Sequence, residues 1–393
     1  MTVYRFRATP LTPIHVGDGT TLAPENYLIE GDHLIQFNRA ATLRDMKPET
    51  RRQLEERLDR NDFQAAQEIL RKSVQPRHHR CRIQIGAESK ADLLKAVGNP
   101  LDPVVRQRAV NGFVRNPLTG QPYLPGSALK GAIRTAVVNH YTQKHLPSLK
   151  QVVSPLLENS SQRRNAWKVL ETEALNFEFR QLQEDPFRLL KVADAELPAH
   201  RTRVDKVWPV KRDGTEDTKG IQMHFERLLS RGDGIEDGGF TVELELDEQA
   251  AGDARVKVGR HLDVETVQEA CNAFYWKRMN AELDRFFPKD DPQKKIVYNK
   301  VKIGLAVRNP EGKLVLWPPP WKNRLLLRVG RFSHFEALSV EHLRQGWNAQ
   351  KKQPFKPGEE GSSRTLCRCR PTTEGKSMAL PFGWLLLELE GQT

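Results

Sequence analysis

The stretch PYLPGSALKGAIR, Pro122 to Arg134, reads as a turn opening into a helix, yet it places a second glycine, Gly131, inside that helix directly after a lysine. Pro125-Gly126 makes the turn, Ser127 stands where an N-cap hydroxyl would accept a free first-turn amide, and the helix is expected from Ala128 to about Lys144. Leu129, Ile133, Ala136 and Val137 recur at helical spacing and predict a core-facing side, whereas Ser127, Lys130, Gly131 and Arg134 share the other side. Lys130 and Arg134 are like charges at i and i+4, worth about 0.2 to 0.5 kcal/mol of destabilisation in an isolated helix. Gly131 costs about 1 kcal/mol relative to alanine. Both penalties fall on one side. An anion at the helix start would relieve the repulsion and use unpaired amides, and glycine would admit a bulky backbone. The competing reading is that Gly131 lets another element of the same chain pack closely while the cations are solvated. A nucleotide P-loop is excluded, because the GxxxxGK[ST] spacing is absent.

Working outward, the strand TVYRFRATPL and a second, NYLIEGDHLIQF, flank the loop TPIHVGDGTTLAPE, and residues 39 to 74 are expected to be helical. Strands RCRIQIG and VVRQRAVNGFV precede the quoted turn. Residues 145 to 165 are polar and Pro-broken and read as a mobile insertion. Beyond it, DPFRLLKVADAEL and RVDKVWPVKRDG read as strands or extended segments. GFTVELELD alternates strongly, VETVQEACNAFYWKRMNAELDRFF is an amphipathic helix, and LLLRVG and FGWLLLELE are further strands. This order predicts an α+β fold of two packed ferredoxin-like units with helical insertions, divided as 1–144, an insertion or linker at 145–235, and 236–393.

The chain has 393 residues, 38% of them hydrophobic, enough for real cores. A formal net charge of +12 favours a polyanionic partner. No signal-peptide pattern or long apolar run is present, so a cytoplasmic protein without a membrane span is expected. Cys81, Cys271, Cys367 and Cys369 are too few and scattered for a disulfide framework, and reduced thiols are expected.

PYLPGSALKGAIR resembles the signature of the RAMP superfamily of CRISPR proteins, and LTPIHVGDG, Leu11 to Gly19, resembles that family's opening strand and loop. With the ending LPFGWLLLEL, the chain is most similar to the terminal backbone subunit of type III-A (Csm) effector complexes. The resemblance implies ferredoxin-like, RRM-related domains that hold guide RNA without catalysis and cap its 3′ end. It implies CRISPR RNA, other Csm backbone and small subunits, and cellular nucleases for 3′ trimming as partners. By that likeness RNA contacts are expected at His15, Gly17, Gly126, Ser127, Lys130, Gly131 and Arg134. LRVGRFSHFEALSV occupies the place of a family glycine-rich loop and adds Arg331, although only Gly330 of the glycines is present. No cofactor and no metal are implied. The alternatives are a metal-independent endoribonuclease with His15 as general base, and a subunit of the related type III-B (Cmr) complex.

Four other groups carry possible chemistry. RKSVQPRHHRCR, Arg71 to Arg82, is a basic stretch suited to phosphates or to a protein face. His78, His79 and Cys81 with Cys367 and Cys369 would suit zinc, at spacings that match no standard finger. Trp317 and Trp321 suit partner contact. Asp185, Asp194, Glu196 and Asp205 are expected to be exposed acids, with no pair that fits a two-metal site.

Overall fold

The computed structural model describes residues 1–95, 109–159, 161–211, 215, 223–235, 239–253, 255–287, 292–308, 311, 314–315, 321–344, 347–348, 353–354, 360–361, 363–369 and 378–393. Its principal sheet is built around β1 (Thr2–Pro10), whose Tyr4, Phe6 and Ala8 are buried while Arg5 and Arg7 between them are exposed. The period-two pattern fixes which side faces the core.

Helix α1 (Gly126–Lys144) follows, then β2 (Leu190–Val192) and β3 (Phe240–Leu246), helix α2 (Val264–Phe286), β4 (Arg324–Arg328) and β5 (Trp384–Gln392). The strand order is β4-β5-β1-β3-β2, and every neighbouring pair is antiparallel. Phe6 stands opposite Val242 and Tyr4 opposite Leu244, so alternate apolar residues of β1 and β3 share one side. The two helices cover that side. Tyr275 Oη of α2 donates to the Ala132 carbonyl of α1 at 3.0 Å, and the Asn272 amide clips α2 to β4 through Arg324 O at 2.8 Å and the Leu326 N–H at 2.9 Å.

A second sheet is assembled from the hairpin Tyr27–Glu30 and His33–Phe37, the strand His79–Ile85, the long pair Thr202–Lys211 and Met223–Leu228, and short strands at Thr21–Leu22 and Val110–Asn111. Ser363–Cys369 joins it along Thr202–Lys211. The halves of the chain therefore do not build one sheet each as expected. The principal sheet draws strands from all three segments 1–144, 145–235 and 236–393, because β1 needs partners from residues 240–246 and 384–392 to bury its apolar side.

Three local expectations are also corrected. Residues 145–165 are not a loose insertion: Leu146–Glu158 and Arg163–Leu175 are helices that bury Leu149, Val153 and Leu157, and Ala166, Leu170 and Ala174, in the main core. Pro147 sits in the first turn, where its missing N–H costs nothing. NYLIEGDHLIQF is a hairpin turned at Gly31, whose φ is +56°. The helical run at 39–74 is three helices, interrupted before Pro48 and at Asn61, which adopts φ +58°. Among the described residues no helix is long and apolar enough to cross a membrane.

Candidate nucleic-acid interface

Past β1, the chain is tied beneath β5: the Leu11 and Thr12 amides both donate to Trp384 O, and the Gly383 amide donates to Pro13 O at 2.8 Å. His15 follows and is only 2% exposed, with Nδ1 2.6 Å from the Glu226 carbonyl and its ring edge-on to Phe225 at 4.7 Å. A carbonyl only accepts, so Nδ1 carries the proton. Burial pushes the ring down to about 4, against the pull of the Glu226 carbonyl and with a smaller push from Arg331. At neutral pH His15 is uncharged and a weak base. Its geometry serves as a wedge that orients the loop, and no carboxylate pairs with it among the described residues.

The His15 backbone then meets the C-terminal loop. The Arg331 N–H donates to His15 O at 2.9 Å, and a Cβ on Gly330, which has φ +89°, would lie 2.4 Å from that oxygen. Gly17 is constrained too, since its Cβ would come within 2.9 Å of His15 Nε2. The two loops picked out separately in the sequence thus share one cavity of about 250 Å3, lined by His15, Gly17, Gly19, Asn111, Gly330 and Arg331. Gly17 and Gly19 are exposed at its mouth, and the exposed Arg331 guanidinium lies 5.4 Å from the Phe225 ring centroid. No carboxylate pairs with Arg331 among the described residues. A lining of glycine backbone with a free guanidinium at the rim suits a ribose-phosphate chain.

The start of α1 differs from the expected one. The helix begins at Gly126 with Pro125 as its cap residue, and the Ser127 hydroxyl caps nothing. The reason is tertiary. The end of β2 and the loop after it cross so closely that a Cβ at Gly126 would meet Val192 O at 2.1 Å, and Asp194 Oδ1 accepts the Gly126 N–H at 2.7 Å. The anion expected at this helix end is therefore supplied by the chain itself, and Gly126 is buried.

Arg134 also has partners within the chain. It reaches Asp185 at 2.8 Å and Glu171 at 2.9 Å, and it stacks over Phe187 at 5.0 Å. These two carboxylates absorb the repulsion from Lys130. Ser127 and Gly131 are exposed, and a Cβ at Gly131 would meet no atom within 4 Å, which removes close packing within the chain as the reason for this glycine. Half-buried Lys130 has its pKa lowered by burial, countered by Asp185 and reinforced by Arg134, and makes no ion pair among the described residues. The open cationic surface is accordingly Ser127, Lys130 and Gly131, without Gly126 or Arg134.

Sequence reasoning missed the buried ionic groups that hold these loops. Glu282 Oε1 accepts from Arg328 and Arg364, each at 2.7 Å, and Oε2 accepts from Trp384 Nε1 at 2.8 Å. Arg328 in turn donates to Phe382 O at 3.1 Å and to Phe332 O at 3.4 Å, fixing the loop that carries Arg331. Burial works to raise the Glu282 pKa, but the two guanidiniums outweigh it and hold the carboxyl below its usual range. Asp205, expected to be exposed, is buried between Arg203 at 2.8 Å and Arg227 at 2.6 Å. Nothing local announces such pairs.

The remaining candidates scatter. His78 is buried on Asp45 at 3.2 Å, Cys81 Sγ lies 3.2 Å from Gln36 Oε1, and Cys367 is buried beside Val207, Phe225 and Phe382. No group of three or more His, Cys, Asp or Glu arranged for a metal occurs among the described residues. His79, Arg80 and Arg82 remain exposed along the second sheet. Trp321 packs edge-on to Trp276 at 5.4 Å, and Trp317 lies outside the described residues.

Comparison with known proteins bears on this geometry. The model of the RAMP superfamily matches residues 7–305. The chain belongs to the RAMP superfamily. The RAMP match takes in the His15 loop and the whole of α1, and it ends before Gly330 and Arg331. Among individual relatives, this RAMP chain is 27% identical over 198 residues to the CRISPR system Cms protein Csm5 of Methanocaldococcus jannaschii, a match that covers 47% of the chain. It spans 41% of the length of that curated relative. Among solved structures, it is similar to a chain of a Csm-crRNA-target RNA ternary complex of a type III-A CRISPR-Cas system, with a TM-score of 0.62 and 19% identity over 99% of this chain and 100% of that one. The crystal structure of T. onnurineus Csm5 gives 0.56 and 16%, over 98% of this chain and 99% of that one. At such identities the likeness is one of fold, and it is the mixed α+β fold described above.

Proposed function

We propose that this RAMP protein is a non-catalytic CRISPR RNA-binding subunit of a type III-A (Csm) effector complex, which caps the 3′ end of the guide and supports its maturation and the assembly of the complex in antiviral defence. The observation that carries the reading is the meeting of the His15–Thr20 loop with Gly330–Arg331 in one glycine-lined, cation-rimmed cavity. The exposed Ser127 and Gly131 with the half-buried Lys130 are read as a further phosphate contact on α1. The principal sheet is read as one ferredoxin-like, RRM-related unit. Its succession β1, α1, β2, β3, α2, β5, with β1 between β5 and β3, supports that reading, and β4 is then an added edge strand. The likeness of fold to a chain of a Csm-crRNA-target RNA complex supports CRISPR RNA and neighbouring Csm subunits as partners, with cellular nucleases for 3′ trimming beyond them and the cytoplasm as the place of action.

The test is the salt dependence of RNA binding. Each neutralised phosphate adds about −0.7 to the slope of log K against log salt for a single strand. Lys130→Ala and Arg331→Ala are each expected to flatten the slope by about that amount, and unchanged slopes in both would overturn the contact. Masses of co-purifying subunits separate a type III-A from a type III-B complex.

A further inference from the structure

Beside α1 lies a second cavity, of about 240 Å3, whose apolar wall is formed by Trp167, Phe177, Phe179 and Leu182. Phe179 and Leu182 remain 51% and 64% exposed, a poor use of apolar side chains unless something covers them. The rim is cationic. Lys168 Nζ sits 4.6 Å from the Phe179 ring centroid, and Lys130, outside the lining itself, stands one helical turn before the lining residue Arg134 on the same side of α1, next to the open surface of Gly131. The inner end is polar: Arg134 is held between Glu171 and Asp185, and the Glu171 side chain is still 44% exposed, with lone pairs to spare for a donor.

Aromatic and apolar surface framed by lysines is the arrangement that binds single-stranded nucleic acid, the ring taking a base face and the cations the phosphates. A protein partner laid over the same wall would need carboxylates placed over Lys130 and Lys168, whereas a single RNA strand brings a base face and phosphates together. We propose that this cavity takes one unstacked nucleobase of a single-stranded RNA whose phosphates run across Lys130 and Gly131, with Glu171 accepting from an amino group on the base edge. The inference rests on the RNA-binding reading above and adds to it a base site that neither the His15 loop nor Arg331 provides.

The experiment is an abasic scan. The full chain is titrated with a short single-stranded RNA of mixed sequence and with a set in which each nucleotide in turn lacks its base. Phe179→Ala is expected to weaken binding about 5- to 100-fold, the range for loss of one stacked base, with an unchanged salt slope. Phe179→Tyr, which keeps the ring, is expected to retain the affinity, and this separates stacking from a failure to fold. At one position the abasic RNA is expected to lose as much as Phe179→Ala, and the two losses are expected not to add. Losses that add at every position would mean that the wall faces protein or only shapes its loop, and would overturn the base site. Should Lys130→Ala and Arg331→Ala flatten the slope while Phe179→Ala changes nothing, the base site alone falls. An unaltered chain without affinity for the RNA overturns both readings.

Discussion

Replacing Gly131 by alanine tests the surface argument at its most exposed point. The position is inside α1, and a Cβ there would meet nothing within 4 Å, so the substitution carries no steric cost in the free chain. Alanine is favoured over glycine in a helix interior by about 0.8 to 1.0 kcal/mol, and Gly131→Ala is expected to stabilise the free protein by roughly that amount. Spread over 393 residues at about 2.1 cal/mol/K each, the gain moves Tm by only about 1 °C, so chemical denaturation at fixed m-value is the better assay. Gly126→Ala has the opposite sign. Its Cβ would strike backbone at Val192 O (2.1 Å) and Ala193 O (2.8 Å), where no flexible side chain can yield, and a loss of about 1 to 3 kcal/mol or more is expected. If an RNA backbone passes over Gly131, the same methyl that stabilises the free chain must crowd the bound strand and weaken binding about 5- to 100-fold. A Gly131→Ala protein that is both more stable and unimpaired in RNA affinity refutes the idea that this glycine serves an outside surface.

Arg134→Ala is expected to act on stability and not on the salt slope, costing about 1 to 3 kcal/mol in denaturation because Asp185 and Glu171 lose their shared partner; a flattened slope with unchanged stability would contradict this. His15 makes the fold sensitive to mild acid. Its folded pKa of about 4 lies below the unfolded value of 6.5, so the unfolded chain takes up the proton first and stability falls as pH drops from about 6.5 to about 4, by roughly 3 kcal/mol in all. In His15→Asn, whose amide can still donate to Glu226 O, unfolding free energy measured across that window is expected to lose one proton's worth of slope.

The parts of the molecule written in local periodicity were readable from the sequence. TVYRFRATP and FTVELEL alternate, and 264–286 repeats at helical spacing, and all three form the elements their patterns predict. What fails is whatever depends on distant partners. Ser127 obeys the local rule for a cap, but Asp194, 68 positions beyond Gly126, takes the role instead by accepting the Gly126 N–H. Pro147 and Pro155 hide a helix that its Leu149, Val153 and Leu157 stripe supports. His15 and Arg331 were each selected from their own stretch, while the hydrogen bond that joins them across more than three hundred residues exists only once β1 and β5 are side by side. The clamp of Glu282 on Arg328 and Arg364 leaves no trace at all in a single sequence, because charged residues on a helix and on strands read as solvent-facing until the fold buries them.

The place of β1 between β3 and β5 has a consequence for how the protein is made. Its ladder on one side is completed by Trp384–Gln392, so β1 stays unpaired on that side until the ribosome has translated β5. At about 5 to 20 residues per second that interval is roughly 20 to 75 s, during which a sticky β-edge is open in the nascent chain. Products truncated or stalled before Trp384 should therefore be caught by chaperones or aggregate, and the loop that carries Gly330 and Arg331 is anchored against His15 only once both strands are in place.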